Sequence, residues 1–421
     1  MTQLRRELGV PSAALLGLGS IIGTGVFVSI GIASGVAGPS VVLAVMVAGL
    51  VATANGLSSA QLAAAQPVSG GTYEYAHRLI SPAWGFTAGW MFLAAKSASG
   101  ATAALGFAGY LLVSFDGPAS AVVPLAVAAV VAVGAVVLAG IRRSAAVNAA
   151  IVGVAIAALI AFVVIGAGSV DAANLTEGFL AGGIPGWLQA SALMFVAFTG
   201  YGRVATLGEE VRRPQRTIPL AIGVTMAVTM VLYAAVAVVG VGTVGAESLA
   251  QATEGRAAPL ATVAESFGAP LVARLLEVGA VAAMTGVLLN LILGLSRVVL
   301  AMGRHGELPR RVARIDASGR TPMTATVLVC VVIALLTLVG DVRATWSFSA
   351  VTVLIYYSIT NWAALRLPDA ERRYPRWIAW SGLASCLALA VWVDVGAWLA
   401  TIVVLAAGFA VRGFLSRRGD G

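Results

Sequence analysis

Between residues 11 and 412 the chain is a series of apolar runs separated by short segments that carry nearly all of its charge. A bilayer core is crossed by about 20 apolar residues rising 1.5 Å each. Inside it, every backbone N–H and C=O must find a partner within the protein. Twelve runs meet this length, at about 11–33, 39–65, 83–114, 119–140, 145–168, 187–207, 217–243, 268–302, 322–340, 345–366, 376–393 and 395–412. Charged residues are 10% of the chain, against roughly 25% in soluble proteins, and mean hydropathy is +0.95. The sequence therefore predicts an all-helical integral membrane protein.

The net charge of +8 does not point to nucleic acid, because the arginines sit between spans. With the N-terminus inside, twenty arginines fall in cytoplasmic segments and only Arg256, Arg274 and Arg343 in outer ones, the positive-inside pattern. Both termini are expected in the cytoplasm of a bacterial-type cell, as tails over 1–10 and 413–421. Arg5 and Arg6 precede the first span without a small-residue cleavage site, so a retained tail is expected and not a signal peptide. Cys330 and Cys386 lie in apolar runs, and His77 and His305 read as isolated loop residues. Neither pair suggests a metal site or disulfide frame.

Within the first span, Leu15–Ser29 reads LLGLGSIIGTGVFVS. Each glycine costs about 1 kcal/mol in a helix relative to alanine, so Gly17, Gly19, Gly23 and Gly25 suggest an opened backbone. The freed amides of Gly23, Thr24 and Gly25 would then offer a positive helix end to a carboxylate. A small-residue packing face would use the same glycines. Span six repeats the feature at Thr199-Gly200-Tyr201-Gly202. Two broken spans five apart point to inverted repeats around a midplane site.

The stretches GLGSIIGTGVF at 17–27, PVSGGTYEYA at 67–76, FVAFTGYG at 195–202, GEEVRRPQRTIPLAI at 208–222 and SRVVLAMGRHGELP at 296–309 resemble the amino acid–polyamine–organocation transporter family of amino acid permeases, over nearly the whole chain. The resemblance implies the five-plus-five inverted-repeat fold, with repeats over 11–168 and 187–366 and two further helices over 376–412. It implies transport of amino acids or related amines by alternating access. Carried onto this sequence, Ile22, Gly23, Thr24 and Gly25 would bind the substrate carboxylate. The carbonyls of Ser20, Ile21, Ala197 and Phe198 would receive its ammonium, beside Thr199 and Gly200 of the break. Phe198 would serve as an aromatic gate. Many relatives carry an acid where this chain has Gly202, followed by Arg203. That departure counts against a polyamine or strongly cationic substrate and favours a small neutral amino acid.

Lys96 is the only lysine, set about thirteen residues into span three, or roughly 20 Å deep at 1.5 Å per residue. Lysine, unlike arginine, can lose its proton when desolvated, and an ionisable residue within a membrane is a functional candidate by default. Ser99, Gly100 and Ala103 share its helix face. Lys96 is expected to couple transport to a proton; a fixed charge that sets helix packing and a direct contact to the substrate are the alternatives. Some family members place such a lysine on span five, which has no titratable residue here.

Arg203, Glu209 and Glu210 are candidates for an inner gate or for helix-end ion pairing, and Arg297 could help close that gate or snorkel to the interface. Glu277 could face a vestibule or water. Thr285 and Asn290 could line a path or bond between helices. The tryptophans, Trp346 among them, are expected in an interfacial belt. Loops 169–186 and 244–267 should carry short surface helices. Gln66–Arg78 reads either as a connection capping the inner mouth or as a plain loop. No phosphate-binding GxxxxGK[ST] loop, catalytic cluster or cofactor motif occurs. The reading is a non-enzymatic, proton-coupled amino acid transporter. An amino acid exchanger with a structural Lys96 is the alternative. A sensor or complex subunit on a transporter scaffold is the rival from another class.

Overall fold

A computed structural model describes residues 8–66, 70–140, 145–205, 211–314 and 322–419. It is 85% helix, and no strand forms among the described residues. The first expected span is three helices: α1 (Val10–Ile21), α2 (Thr24–Phe27) and α3 (Ser29–Ala37). A turn at Gly38, with φ of 64° in the region that favours glycine, leads into α4 (Val41–Ala65). Then follow α5 (Thr72–Leu79), α6 (Pro82–Ser114), α7 (Val122–Leu138), α8 (Ala145–Gly166) and the short α9 (Ala173–Thr176). The sixth expected span is also interrupted, as α10 (Gly183–Phe198), a tight turn at Thr199–Tyr201 and α11 (Gly202–Ala205). The second half continues with α12 (Pro214–Val244), α13 (Ala246–Arg256), α14 (Pro259–Glu265), α15 (Pro270–Arg304) and α16 (Met323–Thr337). It closes with α17 (Val342–Leu365), α18 (Arg376–Ala390) and α19 (Val395–Gly419).

Local sequence explains many of these boundaries. Proline opens α6, α12, α14 and α15, at the position where its missing N–H costs nothing. The Asp341 carboxylate caps α17 by accepting from the Arg343 and Ala344 amides at 2.8 and 3.2 Å. Eight helical stretches among the described residues are long and apolar enough to cross a membrane, while α1 and α16 are apolar but shorter.

Of these eight stretches the most enclosed are α17 and α6, with 78% and 72% of their apolar windows buried, against 11% for α19. They meet through rings, Trp84 on Trp362 and Phe92 on Tyr356, and through hydroxyl pairs, Ser99 to Ser349 at 2.9 Å and Thr102 to Thr345 at 2.8 Å. Such small polar contacts suit helices that gain little from burying apolar surface against each other in lipid. Large apolar side chains such as Leu50, Val131, Val231, Leu335 and Val403 are exposed on the outer helices.

Several loop expectations are refined. Gln66–Arg78 holds α5, packed on α6 and α17, with the Thr72 hydroxyl 2.8 Å from that of Thr360. Loop 244–267 forms α13 and α14, and α13 lies against α3. Glu277 faces neither a vestibule nor water: it is buried, 3.0 Å from Arg274 and accepting from the Ser114 hydroxyl at 2.7 Å. His77 and His305 are not isolated; their rings lie 5.8 Å apart, because α5 rests against the end of α15. No metal cluster occurs among the described residues.

Candidate functional site

The last turn of α1 closes with Ile22 N–H donating to Leu18 O at 2.8 Å, after which Ile22 and Gly23 run extended. The next helical bonds come from Val26 and Phe27, both to Gly23 O at 3.1 Å. The Thr24 and Gly25 amides are thereby first-turn donors with no helical acceptor. Tyrosines on neighbouring helices take the carbonyls freed around the breaks. Tyr233 of α12 donates to Ile21 O at 2.8 Å, and Tyr110 of α6 to Phe27 O at 2.7 Å. Tyr357 of α17 donates to Thr199 O at 3.3 Å. Opened backbone within a membrane protein needs such internal partners.

The four glycines of the first span divide by role. A Cβ on Gly17 would meet Thr225 and Val204 at 2.8 Å, and one on Gly19 would meet Val152 at 2.7 Å. These two are close packing contacts, as the packing alternative expects. Gly25 faces Ala197, with 2.7 Å available for a Cβ, and Gly200 abuts the Ser20 carbonyl. The two breaks are thus in direct backbone contact. Gly23 faces Val287 of α15, 2.6 Å from where its Cβ would be.

Between the breaks is a cavity of about 50 Å³. Its walls include Ser20, Ile21, Thr24, Gly25, Ala197, Thr199, Gly200 and Lys96, all singled out from sequence, together with Ser99, Val196, Val287, Leu291 and Trp346. Lys96 is buried, and its Nζ donates to Thr199 Oγ1 at 2.7 Å; that hydroxyl donates onward to Val196 O at 2.7 Å. Among the described residues no carboxylate pairs with Lys96. The C-terminal ends of α1 and α10 converge here, and their partial negative charge favours a cation. Thr24 Oγ1 is buried and has no hydrogen-bond partner.

Ile22, Gly23 and Phe198 do not line the cavity. Phe198 is fully buried behind it, its ring 5.2 Å from that of Tyr233. The aromatic ring in the wall is Trp346, whose Nε1 donates to Leu193 O at 2.9 Å. Its place near the start of α17 suggested an interfacial belt, but the enclosure of α17 turns it inward. Arg203 and Arg297 are exposed, and Glu209 and Glu210 lie outside the described residues. Thr285 bonds within its own helix, to Val281 O at 2.7 Å.

A bundle of apolar helices enclosing a polar cavity between two interrupted helices is the construction of a membrane carrier. The chain belongs to the amino acid permease family, whose model matches residues 13–414. It is 42% identical to an uncharacterized transporter of Mycobacterium tuberculosis, over 99% of this chain and 93% of that protein. It is 30% identical to the branched-chain amino acid permease BcaP of Bacillus subtilis, over 77% of this chain and 72% of the relative. Identity to the methylthioribose transporter of the same bacterium is also 30%, over 79% and 74%. The chain is therefore a multi-pass membrane transporter, not an enzyme.

Proposed function

We propose that the protein is a proton-coupled carrier of small neutral amino acids in the cytoplasmic membrane, with twelve spans, both termini inside and two inverted repeats. The observation that carries this is Lys96, a buried amine without a carboxylate partner among the described residues, bonded to the break of the sixth span at the edge of the cavity. The substrate carboxylate takes the Thr24 and Gly25 amides and the unpartnered Thr24 hydroxyl. Its ammonium takes the carbonyl ends of α1 and α10. Ile22, Gly23 and Phe198 shape the breaks from behind. Val287, Leu291 and Trp346 form an apolar wall for the side chain, in keeping with a relative named for branched-chain amino acids. Among the described residues no acid lines the cavity, which counts against cationic substrates. The cavity has room for only a few waters, so its walls part to admit a substrate, as alternating access requires.

Protonated Lys96 ties α6 to the sixth-span break, and loss of its proton releases that tie. Arg203, Glu209, Glu210 and Arg297 belong to the inner gate in this reading. The same bond would serve a static clamp, and the carrier would then be an exchanger. Lys96→Met separates the two. Gradient-driven accumulation should vanish while exchange of internal for external amino acid persists. A Lys96→Met protein that still accumulates substrate in response to a pH gradient rules the coupling role out.

A further inference from the structure

A second polar feature runs away from the cavity through the tightly packed interior. Tyr357, which bonds Thr199 O, lies one turn before Asn361 on α17, and Asn361 Nδ2 donates both to Tyr357 O at 2.9 Å and to Asn55 Oδ1 of α4 at 2.5 Å. Cys386 of α18 points its thiol at the same Asn55 oxygen, 3.4 Å away. Ser58 and Gln61 continue the α4 face at steps of three residues, and Gln61 Oε1 accepts from the Tyr374 amide at 3.4 Å, where the chain is half-exposed. Polar groups on α6, α17 and α4 thus recur between Lys96 and Tyr374, with Ser58 bonded to neither of its α4 neighbours.

Two atoms on this line are fully buried without a hydrogen-bond partner: Asn361 Oδ1 and Ser58 Oγ. Leaving a buried polar atom unpaired costs about 1–3 kcal/mol, and buried water is the ordinary way such groups are satisfied. An asparagine pair alone would serve as a clamp between helices, but a clamp does not account for the oxygens left open on Asn361 itself and, one turn from Asn55 along α4, on Ser58.

We propose that Asn55, Ser58, Asn361 and Tyr357 hold a file of internal water between α4, α17 and α18 that carries the Lys96 proton to the inner face, separate from the substrate's path. This rests on the proton-coupled reading above. Water in this file bridges Thr199 and Tyr357 to Asn361 Oδ1 and Ser58 Oγ, and protons pass along it while the amino acid leaves between the broken helices.

The test is synchrotron radiolytic labelling of the full chain in lipid nanodiscs, in which bound water produces hydroxyl radicals in place. Tyr201, whose ring is 5.4 Å from that of Tyr357, should be oxidised along with Tyr357 and Cys386 despite their burial. Tyr110, equally buried but bonded to Phe27 O and the Leu260 amide, should stay unmodified. If Tyr201, Tyr357 and Cys386 are as inert as Tyr110, the interior is dry and the proposal falls. In proteoliposomes, Ser58→Val should lose gradient-driven uptake but keep substrate binding and exchange. Ser58→Val with undiminished gradient-driven uptake overturns the route even if water is present. Absence of gradient-driven uptake in the unaltered protein would instead overturn the coupling reading, and the proton route with it, whatever the labelling shows.

Discussion

Thr24 offers a hydroxyl that the protein itself leaves unpaired, so its removal should cost the substrate and not the fold. Thr24→Val is expected to weaken amino acid binding by about 1–2 kcal/mol, roughly tenfold, with an unchanged melting temperature. A binding isotherm and a thermal melt on the same preparation check this; a lowered melting temperature would mean that Thr24 is structural. Glu307 makes the opposite kind of demand. It follows α15, accepts from the Tyr73 hydroxyl at 2.7 Å and lies 3.7 Å from Arg412. Burial nevertheless raises its carboxyl above the usual range, against the pull of Tyr73 and Arg412. A carboxyl raised on folding holds its proton more tightly in the folded chain. Its contribution is therefore full in acid, below the unfolded value, and is lost as pH rises through the folded one. Glu307→Gln stays neutral, so its melting temperature should exceed that of the unaltered protein at neutral pH. The difference should close as pH falls. A less stable variant at neutral pH would show that the Tyr73 and Arg412 contacts outweigh burial.

Among the elements, the two interrupted helices are held apart from regular geometry by specific close approaches, and these predict unequal responses to small substitutions. Gly200→Ala would drive a methyl into the Ser20 carbonyl, where backbone cannot give, whereas at Gly202 the nearest atom is the Tyr357 hydroxyl at 3.3 Å. Uptake should therefore be abolished by Gly200→Ala and largely kept by Gly202→Ala. Gly23→Ala meets only a methyl of Val287, so Val287→Ala in the same chain should restore what Gly23→Ala loses. Failure of that rescue would place the need for glycine on the substrate side. Both breaks were legible in sequence because the signal is local: glycines inside an apolar run. The tyrosines that receive the freed carbonyls were not, since Tyr110, Tyr233 and Tyr357 are ordinary residues of long helices until packing turns them inward. Trp346 was misread for the same reason. His77 and His305, far apart in the chain, became neighbours only when α5 came to rest against α15.

At the scale of the molecule, the membrane character and the order of helices follow from where apolar runs start and stop, a property each segment carries alone. What no segment carries alone is the depth at which Lys96 meets Thr199, which depends on how α6 and α10 pack. The proton-coupled reading depends on that meeting. It is tested by amino acid uptake into proteoliposomes that contain no internal substrate and no sodium, with and without an inward proton gradient. Accumulation that appears with the gradient and collapses when it is dissipated is the predicted result. Uptake that requires amino acid preloaded inside, whatever the gradient, would contradict it and make the protein an exchanger with a structural Lys96.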